Sequence, residues 1–429
     1  MFASQIDWRV TVTHDELKDE AVYDRDRLER HLWQIQRTTG LDRRKVLRLF
    51  ASSLAVGAAG GMVPGSMRQA SAQQALTPIV KPTPSDLFYT LGTNREMRWE
   101  AMRGQDYTVP NELFFVRNHT VTPRLAADTW RLQIFGSGVA TPIELTYADL
   151  LDMESVTRTR AIECAGNARS FFGSQQGTPA PGTQWKLGAI GVAEWEGVPL
   201  WKVLKKAGVK QTAVDIMPQG LDNPVTGQGN VRRPLPIEKA LDKDTLLVFR
   251  MNGEVLPPDH GHPVRLLVPG WGGISSIKWI GSIEVSETPL FSPWNTTQYR
   301  FFGPEYAPDF PPVTTHKVKS ALELPFPATL QAGRNMLTGR SWTGSGKKIH
   351  RVEVSFDGGF NWVRARTSGP DKEQAWTRWT VMWDAMPGHY TVKVRATDSD
   401  GLVQPDSLPF NSQGYSFWAV VNHPVTVNA

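Results

Sequence analysis

Cysteine is almost missing from this sequence: 429 residues contain one, Cys164. A single thiol excludes an internal disulfide and every iron–sulfur or zinc centre built from several cysteines, and without a Cys-x-x-Cys-His string there is no attached c-type haem. Any redox chemistry must therefore use a borrowed cofactor. A dominant charge is missing too. The formal net charge of +5, from 47 basic and 42 acidic residues, is too balanced for a general nucleic-acid surface, so no nucleic-acid partner is expected. Long apolar runs are also scarce. The stretch Leu49 to Val63 is short and broken by glycines, whereas a bilayer core needs roughly 20 mostly apolar residues, so no membrane span is expected. There is no internal repeat at a spacing that would indicate a solenoid.

What is present suits large cores: 40% of residues are apolar and 16 are tryptophan. The length predicts two folded units plus a tail. Residues 1–40 form a charged extension, with a helix expected over 15–36. Residues 41–72 pair Arg43 and Arg44 with the short apolar stretch and the small-residue site Ala70-Ser-Ala72. That combination reads as a twin-arginine export signal cleaved after Ala72, and places the mature protein in the periplasm.

From about Asn111 short strands, turns and brief helices alternate without the regular rhythm of a doubly wound sheet, which predicts a mixed α+β domain over 73–312. Strands are expected at Leu113–His119, Thr129–Phe135, Leu246–Phe249, Val264–Val268 and Ile277–Val285, and a helix at Leu200–Ala207. Prolines 304, 308, 311, 312, 325 and 327 mark an extended connection. Beyond it apolar residues alternate with polar ones: Val352, Val354 and Phe356 in one strand, then Tyr390, Val392, Val394 and Ala396 in another. Over 313–429 this predicts an immunoglobulin-like β-sandwich.

Four strings carry chemistry. The first surrounds the lone thiol, Glu163-Cys-Ala-Gly-Asn-Ala-Arg169. A lone cysteine reads first as buried filler, but Gly166 allows close backbone approach and Arg169 adds a fixed charge, so an anion could sit beside this sulfur. The second, Phe114-Phe-Val-Arg-Asn-His119, ends in three hydrogen-bonding groups suited to an oxyanion or phosphate, or to a plain surface strand end. The third runs from Met251 through Asp259-His260-Gly-His-Pro-Val-Arg265 to Ser275-Ser276-Ile277-Lys278, with Asp222 upstream. It brings potential cations together if the loops converge. The fourth is Trp294-Asn-Thr-Thr-Gln-Tyr299-Arg300, and Trp185 stands between the first and third.

Together these strings resemble the sulfite oxidase family of molybdopterin enzymes, over about residues 85–425. The resemblance implies molybdenum ligated by Cys164 beside the dithiolene of a molybdopterin, which explains why one cysteine suffices. It also implies that Phe115, Val116, Arg117, Asn118, His119, Asp222, His260, Arg265, Ser276, Ile277 and Lys278 bind the cofactor. Arg117 and Arg169 would hold an anionic sulfur substrate, Tyr299 would face the metal's oxo ligand, and Trp185 would border the substrate pocket. An oxygen atom would pass to a sulfur lone pair, with sulfite going to sulfate and electrons passing to a separate c-type cytochrome. The second domain would mediate a homodimer.

The sequence departs from the animal and plant pattern where Asn411-Ser-Gln413-Gly414 replaces a segment carrying an arginine, and where Ala168 replaces another. The pocket should be less positive than that of a sulfite specialist. A sulfane dehydrogenase acting on carrier-bound sulfur, a sulfoxide reductase, and a metal-free exported β-domain protein are the competing expectations.

Overall fold

The computed structural model describes Glu29 and residues 78–429 except 307–312, 314 and 371. The expected helix over 15–36 and the export signal lie outside these residues, Glu29 apart. Among them no helix is long and apolar enough to cross a membrane.

Two five-stranded sheets build the first part of the chain. In one, Val156–Glu163 pairs with Ile190–Pro199, which pairs with Leu246–Met251, and this last strand also receives Glu254–Val255 and Arg265–Leu267, all antiparallel. The other runs Ile143–Thr146, Arg131–Phe135, Ile280–Ser286, Asp215–Gly220, Leu235–Pro236, with one parallel pairing, Ile280–Ser286 on Arg131–Phe135. The central strands are apolar on both faces because both are covered; Leu246, Leu247 and Val248 have no exposed surface. The longest α-helix among the described residues is Leu200–Lys206, starting where Pro199 ends its strand. The expected mixture of strands and helices is present, tilted strongly towards strands.

One expected strand is absent. The run Leu113–His119 is apolar enough to read as a buried strand, yet only Val116 pairs, through a single bridge to Arg95. The segment is a loop whose polar backbone is satisfied by side chains: Lys81 Nζ donates to the carbonyls of Asn111 (3.0 Å) and Phe114, and Asn94 Oδ1 accepts from the Asn118 amide at 3.0 Å.

Residues 319–428 form two further sheets. One runs Lys319–Leu322, Gly333–Trp342, Trp376–Ala385, Arg366–Ser368; the other runs Ala328–Gln331, His423–Asn428, Gly388–Asp398, Ile349–Ser355, Val363–Arg364. They enclose a shared core containing Leu337, Trp379 and Val381 from one sheet and Val352, Val354, Val392 and Val394 from the other. The period-two alternation seen in the sequence is this inward face. A separate core joins the two halves of the molecule, where Trp99 stacks on Trp342 at 5.8 Å beside Trp376, Phe417 and Phe172.

Candidate active site

Cys164 follows directly from the strand Val156–Glu163, at the point where pairing with Ile190–Pro199 ends. Its amide still donates to the Ala189 carbonyl at 2.9 Å, and the Asn167 amide donates to the Cys164 carbonyl at 2.9 Å, closing a turn that leads to the short helix Ser170–Ser174. The strand therefore delivers the sulfur to the floor of a cleft.

That cleft is lined by Phe114, Phe115, Arg117, Asn118, His119, Cys164, Asp222, His260, Arg265, Ser276, Ile277, Lys278 and Tyr299, among others. The structure thus gathers residues up to 185 positions apart that the motifs singled out separately. Val116 is the exception. It is fully buried, and its amide and carbonyl both bond to Arg95, so it supports the loop from behind.

Polar contacts fix the walls. Lys278 Nζ donates to the Asp259 carbonyl at 2.8 Å and to Asn118 Oδ1, and Asn118 Nδ2 donates to Thr122 Oγ1 at 2.8 Å, which donates in turn to Asp259 Oδ1 at 2.6 Å. Arg265 donates from Nη1 to the His260 carbonyl at 3.0 Å and from Nη2 to the Ser276 carbonyl at 3.1 Å. Burial lowers the Arg265 guanidinium to about 9 and pulls the Lys278 amine well below its ordinary value. Burial likewise raises Asp222, to about 6. His260 corrects the expectation of a third cation: burial, reinforced by Lys81, Lys278 and Arg265, holds it well below the usual imidazole range, so it stands neutral.

A second cavity opens beside the first, lined by Arg117, Cys164, Gly166, Arg169, Pro181, Gly182, Thr183, Trp185, Gln298, Tyr299, Gln413 and Tyr415. The two cavities share three lining residues: Cys164, Arg117 and Tyr299. Tyr299 has its hydroxyl 3.1 Å from His119 Nε2. Burial raises the Tyr299 phenol above its ordinary value and lowers His119 well below its own, so the phenol is protonated and the imidazole neutral at neutral pH.

Arg169 is clamped. Its Nε donates to the carbonyls of Gln413 (3.1 Å) and Gly414 (3.3 Å), its Nη1 donates to that of Thr183 (3.1 Å), and the guanidinium lies 4.9 Å from the Tyr415 ring centre. A side chain at Gly182 would collide with this guanidinium and one at Gly414 with Ala180 and the Arg169 stem, and both positions have positive φ, so glycine is favoured twice over. Gln413 supplies no charge. Its amide donates to the Thr297 carbonyl at 2.8 Å and its oxygen accepts from the Arg300 amide at 3.3 Å, bracing the loop that carries Tyr299. Tyr415, Asn94 and Asp259 were not singled out in the sequence. Only Asp259 lay inside a recognisable string.

The part of the cleft lined by His260, Arg265 and Lys278 suits a hydrogen-bonding anionic group. His260 Nε2 and Arg265 Nε are buried and have no hydrogen-bond partner among the described residues, and two cations face the same space. A family model for an oxidoreductase molybdopterin-binding domain matches residues 119–294, and one for a Mo-co oxidoreductase dimerisation domain matches 315–426. The sulfite oxidase of Gallus gallus is 35% identical over 322 residues, covering 70% of this chain and 69% of that protein. The chain belongs to the sulfite oxidase family. Mitochondrial sulfite oxidase of Macaca fascicularis is also 35% identical, over 71% of this chain but only 58% of its own length. Among solved structures, the sulfane dehydrogenase SoxCD of Paracoccus pantotrophus superposes with a TM-score of 0.69 at 27% identity, covering 87% of this chain and 98% of the other. Membership brings the molybdenum cofactor of molybdopterin with it. Cys164 is a free, buried thiol and so a soft donor of the type such a metal accepts, and among the described residues no group of three or more His, Cys, Asp or Glu could hold a metal ion.

Proposed function

We propose that the protein is a periplasmic molybdenum oxidoreductase that transfers an oxygen atom to a small anionic sulfur substrate, sulfite in the first instance, and passes electrons to a separate c-type cytochrome. The observation that carries this reading is the junction of the two cavities at Cys164, Arg117 and Tyr299. Phe115, Arg117, Asn118, His119, Asp222, His260, Arg265, Ser276, Ile277 and Lys278 would hold the cofactor, with Arg265 and Lys278 facing its anionic end. When bound, the cofactor supplies oxygen-atom transfer and takes up two electrons.

The chain's own residues do the rest. Arg117 and Arg169 attract the anion into the second cavity, where water is partly excluded and charge interactions gain strength. The Tyr299 hydroxyl, kept protonated by burial, donates to substrate or product oxygen, and neutral His119 orients it from the other side. Trp185 Nε1, buried without a partner among the described residues, gives a further donor on the same wall. The C-terminal sandwich, read as immunoglobulin-like, would pair two chains into a homodimer.

A sulfane sulfur substrate is the second reading, supported by the uncharged Gln413 on the cavity wall and by the likeness to a sulfane dehydrogenase. The test is to purify the exported protein, measure molybdenum per chain, and assay sulfite oxidation with cytochrome c or ferricyanide. Near-stoichiometric metal with fast sulfite turnover supports the first reading; metal without sulfite turnover supports the second. Absence of metal from a molybdopterin-competent host would refute both.

A further inference from the structure

Glu163, the residue before Cys164, is buried, and so is every group that faces its side chain. Oε1 accepts from Lys319 Nζ at 2.7 Å and from Asn167 Nδ2 at 2.9 Å; Oε2 accepts from Trp342 Nε1 at 2.9 Å and has His316 Nδ1 at 3.6 Å. Lys319 also reaches the Asn167 carbonyl at 3.3 Å, so one ammonium ties together the residue before the cysteine and the residue three places after it. Asn167 completes the frame by accepting the Ala189 amide on Oδ1 at 3.0 Å. Lys319, His316 and Trp342 all belong to the C-terminal part of the chain, and a fourth contact from there, the Ser416 amide to the Ala165 carbonyl at 2.8 Å, holds the same turn.

An isolated carboxylate at this depth is costly, and so is an isolated ammonium. Apolar packing would join the two halves of the molecule at lower cost, as the tryptophan cluster already does. The location of the pair marks its purpose: it ties Asn167, on the turn carrying Cys164, to Lys319 and Trp342 of the C-terminal sheet. We propose that Glu163 and Lys319 are positioning residues that hold the Cys164 sulfur in its ligating orientation, so that the C-terminal domain is part of the active-site framework. This rests on Cys164 being the metal ligand. Groups that orient a ligand are characteristically worth about 10–100-fold in metal affinity or activity.

Because Cys164 is the sole thiol, its alkylation by iodoacetamide can be followed by mass in metal-free protein, independently of turnover. Glu163→Gln keeps the shape and removes the charge; Lys319→Met keeps the length and strands the carboxylate. In either variant Cys164 should alkylate several-fold faster than in the parent, and the loaded enzyme should lose kcat with little change in KM. The double variant should regain thermal stability over Lys319→Met without regaining kcat. A control is the buried pair Arg340–Glu323 in the same domain, at 2.8 Å, where Glu323→Gln should lower stability but leave alkylation unchanged. Should Lys319→Met fail to fold, Glu163→Gln decides the matter. Unchanged alkylation and kcat in Glu163→Gln, or equal acceleration in Glu323→Gln, would overturn the proposal. A Cys164→Ser enzyme with full metal content and turnover would instead overturn the ligand assignment beneath it.

Discussion

The Tyr299 hydroxyl and His119 Nε2 lie 3.1 Å apart at the junction of the two cavities, each in its uncharged form. Stacking fixes the phenol further: the Tyr299 and Tyr415 rings are 4.9 Å apart and 14° from parallel. Tyr299→Phe keeps that stack and removes one donor. It should lower kcat by roughly 10²-fold, the usual cost of one oxyanion donor, with a smaller change in KM. Steady-state sulfite kinetics with ferricyanide check this, and an unchanged kcat would remove Tyr299 from the chemistry.

Cys164→Ser should abolish turnover and keep the fold. The side chain is small, serine is close to it in shape, and the backbone bonds of the turn do not involve the sulfur. A melting temperature within a few degrees of the parent, together with near-complete loss of activity, is the expected pair of results.

Arg169→Lys preserves charge but cannot reproduce three contacts to the Gln413, Gly414 and Thr183 carbonyls. Two effects should appear together. KM for sulfite should rise about tenfold, equivalent to ~1.4 kcal/mol, and the melting temperature should fall by about 2–4 °C for each kcal/mol lost. An unchanged KM would show that Arg169 acts purely through charge, since lysine keeps the charge and loses only the guanidinium geometry.

Acid should destabilise the protein through histidines that fold in their neutral form. Burial lowers His423 to about 4 and His119 and His260 well below 6.5. A histidine with a depressed native pKa binds fewer protons folded than unfolded below pH ~6.5, so its contribution is present above that pH and is lost as pH falls towards the native value, at up to ~1.4 kcal/mol per pH unit per group. Glu96, raised to about 7 by burial, has the opposite sign between its unfolded value near 4.5 and 7. Melting temperatures measured from pH 4.5 to 7 should therefore rise with pH, more steeply in Glu96→Gln and less steeply in His423→Gln. A slope unaltered by either substitution would contradict this assignment.

Much of the site was legible because its chemistry is written in contiguous strings. Arg117 to His119, Cys164 to Arg169, and His260 to Lys278 each place several functional groups on one loop, and the structure brings the loops to two adjoining cavities. The β-rich C-terminal half was legible from period-two alternation, since one face of each sheet is buried. Other features depend on contacts that no string records. Lys319 meets Glu163 across 156 positions, and Tyr415 meets Tyr299 from a loop with no pattern of its own. Leu113–His119 misled because apolar content reports burial, while strand pairing depends on a neighbouring backbone, and here the side chains of Lys81 and Asn94 take that place.

The two cavities, proposed to hold cofactor and substrate, touch through Cys164, Arg117 and Tyr299. Traffic on one side need not disturb the other. On the proposed function, substrate and product would exchange through the second cavity during each cycle while the cofactor would stay held behind Lys278, Arg265 and the loop at 115–119. A competitive inhibitor of the substrate cavity should therefore wash out and leave a fully loaded enzyme, whereas loss of the cofactor requires the cleft walls themselves to part.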